Sequence, residues 1–170
     1  MKSLLMGCGR SREKRICTPG HMDWGELVTL DYNDDHSPDI VHDLNIHPLP
    51  FDDNEFDEIH AYEVLEHLAS LGDYKFFFSE FSEYWRILKP GGFFCATVPA
   101  ITSPWVFGDP SHTRVIMGEQ LVFLDQQNYE EQVGVTPMSD FRSIYKANFR
   151  TGMCKVEDQQ LKFALKAIKE

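Results

Sequence analysis

Several short stretches carry residue types suited to chemistry, and each follows an apolar run. Gly7-Cys8-Gly9 breaks the run Leu4-Leu5-Met6. Glycine allows unusual φ angles and close ligand approach, although a plain tight turn looks the same. Asp31 stands 22 residues beyond Gly9. In dinucleotide folds a carboxylate so placed accepts hydrogen bonds from both ribose hydroxyls; an acid capping a strand end is the other reading. Tyr32 can lie against an adenine face or be a half-buried loop aromatic. Asp43 can accept from an adenine amino group while Leu44 packs on the ring, or it is one more loop acid in an acidic chain.

Glu63 and His67, in EVLEHL, are four apart and share a face if the segment is helical. A histidine there suits general-base work, or it forms a surface pair with the glutamate. In WVFGDPSHTRV (105–115), Trp105 and Phe107 can wall a substrate pocket with His112 and Arg114 reaching inward. A guanidinium in that position can grip a carboxylate or phosphate, which would admit a small anionic or sugar-like substrate. Equally, aromatics alone can hold such a loop over a sheet. Cys17 and His21 are four apart, but Pro19-Gly20 breaks any helix between them, and no metal site is expected.

The elements that must position these residues follow from periodicity. Residues 3–6, 27–31, 39–44, 56–62 and 93–98 read as strands, the last continuously apolar. A helix is expected to begin over 63–71. Residues 73–89 form an amphipathic helix with Phe77, Phe78, Phe81, Trp85 and Leu88 on one stripe, Asp73 as N-cap and Pro90-Gly91-Gly92 at its end. A further helix is expected over 118–127. GMCKVED and LKFALKAIK, either side of Gln159-Gln160, read as an antiparallel hairpin. Strand–helix alternation followed by a hairpin gives a three-layer α/β sheet. Ligands of such sheets bind at the carboxyl ends of the strands, where the candidate residues fall.

Length bounds this reading to one domain over residues 1–170. A net charge of −11 disfavours nucleic acid as a partner. No apolar stretch suits a bilayer span or a signal peptide. Four cysteines without a CxxC pair fit reduced thiols and a cytoplasmic setting.

Together these segments resemble the class I S-adenosylmethionine-dependent methyltransferases. The carriers are LLMGCG, VTLDYN, DIVHDLNIHPLPFDDNEFDEIHAYEVLEHL and EYWRILKPGGFFCATVP. The resemblance implies a Rossmann-like sheet of seven strands, six parallel and one antiparallel. It implies S-adenosylmethionine as cofactor and a small-molecule methyl acceptor, with residues 100–147 as a substrate-side insertion. Gly7, Cys8 and Gly9 would shape the loop around the methionine part. Asp31 would hold the ribose, Tyr32, Asp43 and Leu44 the base, and Glu63 would line the sulfonium end. His67 and His112 are the candidate bases. Two departures stand out. Ser11 and the basic run to Arg15 replace a third glycine and a long first helix, and with the first strand beginning at Lys2 the covering helix of the family is expected to be missing. The run is expected either to close over the methionine carboxylate or to leave the pocket open. A non-catalytic cofactor-binding or assembly module is the alternative. A nicotinamide oxidoreductase would require glycine where Arg12 stands.

Overall fold

The computed structural model describes residues 1–169. In chain order the elements are β1 (Lys2–Met6), β2 (Glu26–Asp31), β3 (Ile40–Val41), β4 (Phe56–Tyr62), α1 (Tyr74–Ile87) and β5 (Leu88–Pro99), then α2 (Trp105–Gly108), α3 (Gly118–Leu121), α4 (Gln126–Gln132), β6 (Phe149–Glu157) and β7 (Gln160–Ala167). The strands form one sheet in the order β3-β2-β1-β4-β5-β7-β6. β1 to β5 pair in parallel, and β7 is antiparallel to both its neighbours. β6 therefore runs with the other five, giving the expected six-to-one sheet. The chain crosses from the β1–β3 half to the β4–β7 half beside β1, so the ends of β1 and β4 flank the switch point.

The two faces of this sheet are covered differently. α1 buries Phe78, Phe81, Tyr84 and Ile87, and α3 and α4 add Leu121 and Tyr129, all in one large core with Leu4, Met6, Phe94 and Phe163. Asp73 caps α1 as expected, its carboxylate accepting from the Phe76 amide at 3.0 Å. The opposite face has a small apolar cluster of Leu5, Cys8, Ile16, Tyr62, Cys95 and Ala164, with Trp24 packed on it. Its cover is the irregular stretch 10–25, where the family's first helix would lie.

That stretch is anchored by polar contacts rather than by a helical stripe. Glu58, on β4 and 1% exposed, accepts from Ser3 Oγ at 2.9 Å, Lys14 Nζ at 2.5 Å and Thr18 Oγ1 at 2.9 Å. The Tyr62 hydroxyl accepts from the amides of Arg15 and Ile16 at 3.1 and 3.2 Å. The Trp24 ring lies under the Lys14 ammonium, 5.0 Å away.

Three sequence expectations change. Residues 63–71 do not form a helix: Glu63 and Ala69 have φ of 56° and 52°, and only a 3-10 turn, Leu65–His67, stands between them. The region 118–127 breaks into α3, a 3-10 turn and α4, because Asp125 turns its carboxylate to cap the Gln127 amide. Pro90-Gly91-Gly92 does not end α1 but lies within β5, where the register to β4 shifts between Phe56 and Glu58. The tail forms its hairpin through Asp158-Gln159, both with positive φ, as a tight two-residue turn requires.

Candidate functional site

The chain turns at Gly7 and Gly9 with φ of 57° and 51°. A side chain at Gly7 would run into Val64, so the loop after β1 must pass bare backbone over the segment after β4. Asp31 ends β2 and is fixed from two sides. Its Oδ2 accepts from the Gly9 amide at 2.8 Å and its Oδ1 from the Asn33 amide at 2.9 Å. His36 Nδ1 lies 3.1 Å from Oδ2. Burial pushes the Asp31 carboxyl up, but these donors pull it further, to below its ordinary range.

These turns frame a cleft of about 550 Å³ lined by Gly7, Gly9, Asp31, Tyr32, Asp43, Leu44, Glu63 and His67, among others. Seven of the eight expected cofactor residues therefore meet in one cavity. Cys8 does not. Its side chain is buried in the cluster on the coil-covered face, where burial pushes the thiol's pKa up. Leu44, Val64 and Leu68 give the cleft an apolar floor, while Asp31, Asp43 and Glu63 bring carboxylates to it. Apolar packing with carboxylate acceptors fits a nucleoside carrying ribose hydroxyls, an amino group and a cationic tail.

The basic run after Gly9 does not close over this cleft. Arg12 donates to the carbonyls of Gly9, His36 and Ser37, clipping the glycine loop to the turn after β2. Lys14 goes to the opposite face of the sheet. No Lys or Arg is among the residues lining the cleft.

A second cleft, of about 450 Å³, adjoins the first and shares Glu63 and His67 with it. Its other walls include Glu66, Ser103, Trp105, Asp109 and His112. The backbone brings this wall together: the Thr113 amide donates to the Glu66 carbonyl at 2.9 Å, and Arg114 Nε to the Leu65 carbonyl at 2.7 Å. The rings of His67 and His112 consequently meet edge to face, 4.7 Å apart. Trp105 lines this cleft, whereas Phe107 is exposed and lines neither cavity.

Arg114 does not reach for a substrate. It is buried, and its Nη2 donates to both oxygens of Glu80 at 2.8 Å. The anionic acceptor it was expected to grip has no cationic side chain here; the second cleft is lined by Glu63, Glu66, Asp109 and Asp158 with no Lys or Arg. Glu66 was not singled out by sequence spacing. It is 2% exposed, neither carboxylate oxygen has a hydrogen-bond partner, and burial together with the Glu63 charge drives its pKa well above the usual carboxylate range.

Comparison with known proteins gives a consistent family. The model of the methyltransferase domain matches residues 4–96. A sterol 24-C-methyltransferase of Pneumocystis carinii is 30% identical over 73 residues, which are 43% of this chain and 18% of that protein. The chain thus spans under a fifth of the curated relative it matches. A SAM-dependent methyltransferase from Archaeoglobus fulgidus superposes with a TM-score of 0.60 at 18% identity, over 97% of this chain and 85% of that one. A Haloferax volcanii protein solved with a methyltransferase activator gives 0.59 at 17% identity, over 99% and 83%. These two likenesses are of fold. The matched stretch runs from β1 into β5 and takes in every strand end that frames the first cleft, so this chain belongs to the methyltransferase domain family.

Proposed function

We propose that the protein is an S-adenosylmethionine-dependent methyltransferase acting on a small-molecule acceptor. The observation that carries this reading is the meeting of two clefts at Glu63 and His67. The first suits the cofactor and the second its acceptor. When bound, the cofactor supplies a methyl group already activated by its sulfonium. Asp31 holds the ribose hydroxyls, Leu44 and Tyr32 pack on the base, Asp43 accepts from its amino group, and Glu63 faces the sulfonium end. Residues 100–147 serve the acceptor, since Ser103, Trp105, Asp109 and His112 of that segment line the second cleft. His67 and His112 are the two candidates for the base that takes the acceptor's proton in the absence of a metal ion. Aligning two bound reactants contributes about 7–11 kcal/mol to such a transfer, so few dedicated groups are needed.

The acidic second cleft and the net charge of −11 favour a neutral or cationic small molecule over nucleic acid. Four free cysteines support a reducing, cytoplasmic setting. Among the described residues no helix is long and apolar enough to cross a membrane.

Thermal unfolding with S-adenosylmethionine, S-adenosylhomocysteine and NAD tests the cofactor assignment. A ligand at one hundred times its dissociation constant adds about 2.7 kcal/mol. Both sulfur ligands should raise Tm and NAD should not. Asp31→Ala should abolish the rise, and Tyr32→Ala, at a side chain 76% exposed, should weaken it without loss of fold. No rise with either sulfur ligand overturns the reading. Binding without transfer to any acceptor in a panel of small molecules would favour the non-catalytic module.

A further inference from the structure

We propose that Glu66, His67 and His112 form a binding site for a divalent transition-metal cation where the two clefts meet. One donor atom from each residue lies within 4.8 Å of the others. A cation with ligand bonds of about 2.0–2.2 Å holds its donors about 3–3.5 Å apart, so a small inward movement of side chains completes the set. His67 is exposed on its 3-10 turn and can make that movement.

The independent observation is the state of Glu66. A carboxylate 2% exposed ordinarily has several donors; here neither oxygen meets a donor side chain, and the neighbouring group is a second carboxyl, Glu63. It lines the acceptor cleft rather than the core. The Nδ1 atom of His112 is also buried without a partner. The cleft wall has the charge a cation neutralises, with Glu63 and Asp109 among its residues; the cation that acts on Glu66 from behind, Arg114, is itself paired with Glu80.

His67 is oriented as metal-ligating histidines are. Its Nδ1 lies 3.3 Å from the Ser111 carbonyl and 3.2 Å from Ser111 Oγ, which itself donates to Asp109 at 2.6 Å. Nδ1 is therefore the protonated nitrogen, and Nε2 keeps a free lone pair. Two imidazoles and one carboxylate suit Zn²⁺, Mn²⁺ or Co²⁺ better than Mg²⁺ or Ca²⁺, which favour all-oxygen sets. Three protein ligands leave positions open toward the cleft for water or an acceptor oxygen. On this inference the two histidines serve the acceptor as ligands instead of as free bases. The inference rests on the methyltransferase reading only for the identity of the cleft's occupant, not for the ion.

The test uses the full chain, stripped with a chelator and free of cofactor and acceptor. Equilibrium dialysis against Co²⁺ and Mn²⁺, followed by elemental analysis and the visible spectrum of the Co²⁺ form, should give one ion per chain. Glu66→Gln, His67→Gln and His112→Ala should each weaken binding about tenfold or more with circular dichroism unchanged. His21→Ala, an exposed histidine remote from the clefts, should bind as the parent does. No stoichiometric binding, a Co²⁺ spectrum with thiolate charge transfer, or undiminished binding by the Glu66 and His67 variants overturns the site. Because His67 is exposed, its variant tests ligation even if a buried substitution fails to fold. Metal binding without a Tm response to S-adenosylmethionine would support the ion site and sink the cofactor reading, so the two can fail separately.

Discussion

Glu58 and Glu66 are both sealed from solvent, at 1% and 2% exposure, and they have opposite fates. Glu58 lies on the coil-covered face and is surrounded by donors. Burial alone would raise its carboxyl, but His60, Lys14 and Thr18 more than offset this and hold it at about 2. Glu66 lies at the clefts, has no donor, and is pushed the other way by burial and by Glu63. The first carboxylate is satisfied within the fold and ties the chain together. The second is left unsatisfied, as a group is when its partner comes from outside.

The largest expected effect follows from removing the satisfied acid. Glu58→Ala leaves the Lys14 ammonium, whose side chain is 5% exposed, without its counter-charge and with only the carbonyls of His21 and Asp23 to donate to, and leaves the hydroxyls of Ser3 and Thr18 without their acceptor. Breaking a buried pair in this way costs about 3–5 kcal/mol. Urea unfolding should show that loss, with the stretch 10–25 becoming protease-sensitive. A variant as stable as the parent would mean that the polar anchor is not what holds the coil.

The same acid sets a pH window. A carboxyl whose folded pKa is depressed contributes stability that is complete above its unfolded value and lost as pH falls through the folded one. For Glu58 that window runs from about 4.5 down to about 2, and the loss is on the order of 3 kcal/mol. Stability measured across this range should fall less steeply in Glu58→Gln than in the parent. Equal slopes would assign the acid sensitivity to other carboxylates.

The contrast also separates what was legible in the sequence from what was not. Gly7, Gly9, Asp31, Asp43, Leu44 and Glu63 could be placed because each follows a strand, and in a parallel sheet strand ends converge on one edge. The coil 10–25 was unreadable as a layer. It buries only Ile16 and Thr18, with Trp24 half-buried, and its anchors are the polar residues Lys14 and Thr18, which carry no periodic signal. EVLEHL has helical spacing, yet Glu63 adopts a left-handed φ as its amide bonds the Thr97 carbonyl. Local spacing there yields to the sheet. Arg114 read as a substrate grip because a lone arginine in an aromatic loop gives no hint of Glu80, which waits on α1. The pairing of His112 with His67 depends on the backbone contact between residues 113 and 66, a tertiary fact without local trace.

The smallest effect is the sharpest test of the comparison, because its sign is opposite to the first. Glu66→Gln, measured with chelator present at neutral pH, removes a carboxyl whose burial cost its own amide and the nearby Arg114 do not offset. With the Glu66 pKa raised to about 8, the folded protein must hold this acid protonated at neutral pH, whereas an amide can donate to the Glu63 carboxylate without that cost. The variant should therefore unfold at a higher urea concentration, a gain of about 1 kcal/mol of the kind found where function retains an unfavourable group. Adding Mn²⁺ should then stabilise the parent and leave Glu66→Gln unmoved, narrowing or reversing the order of the two. A loss of stability in the chelated variant, like that expected at Glu58, would mean that Glu66 has partners in solution and that both carboxylates serve the fold.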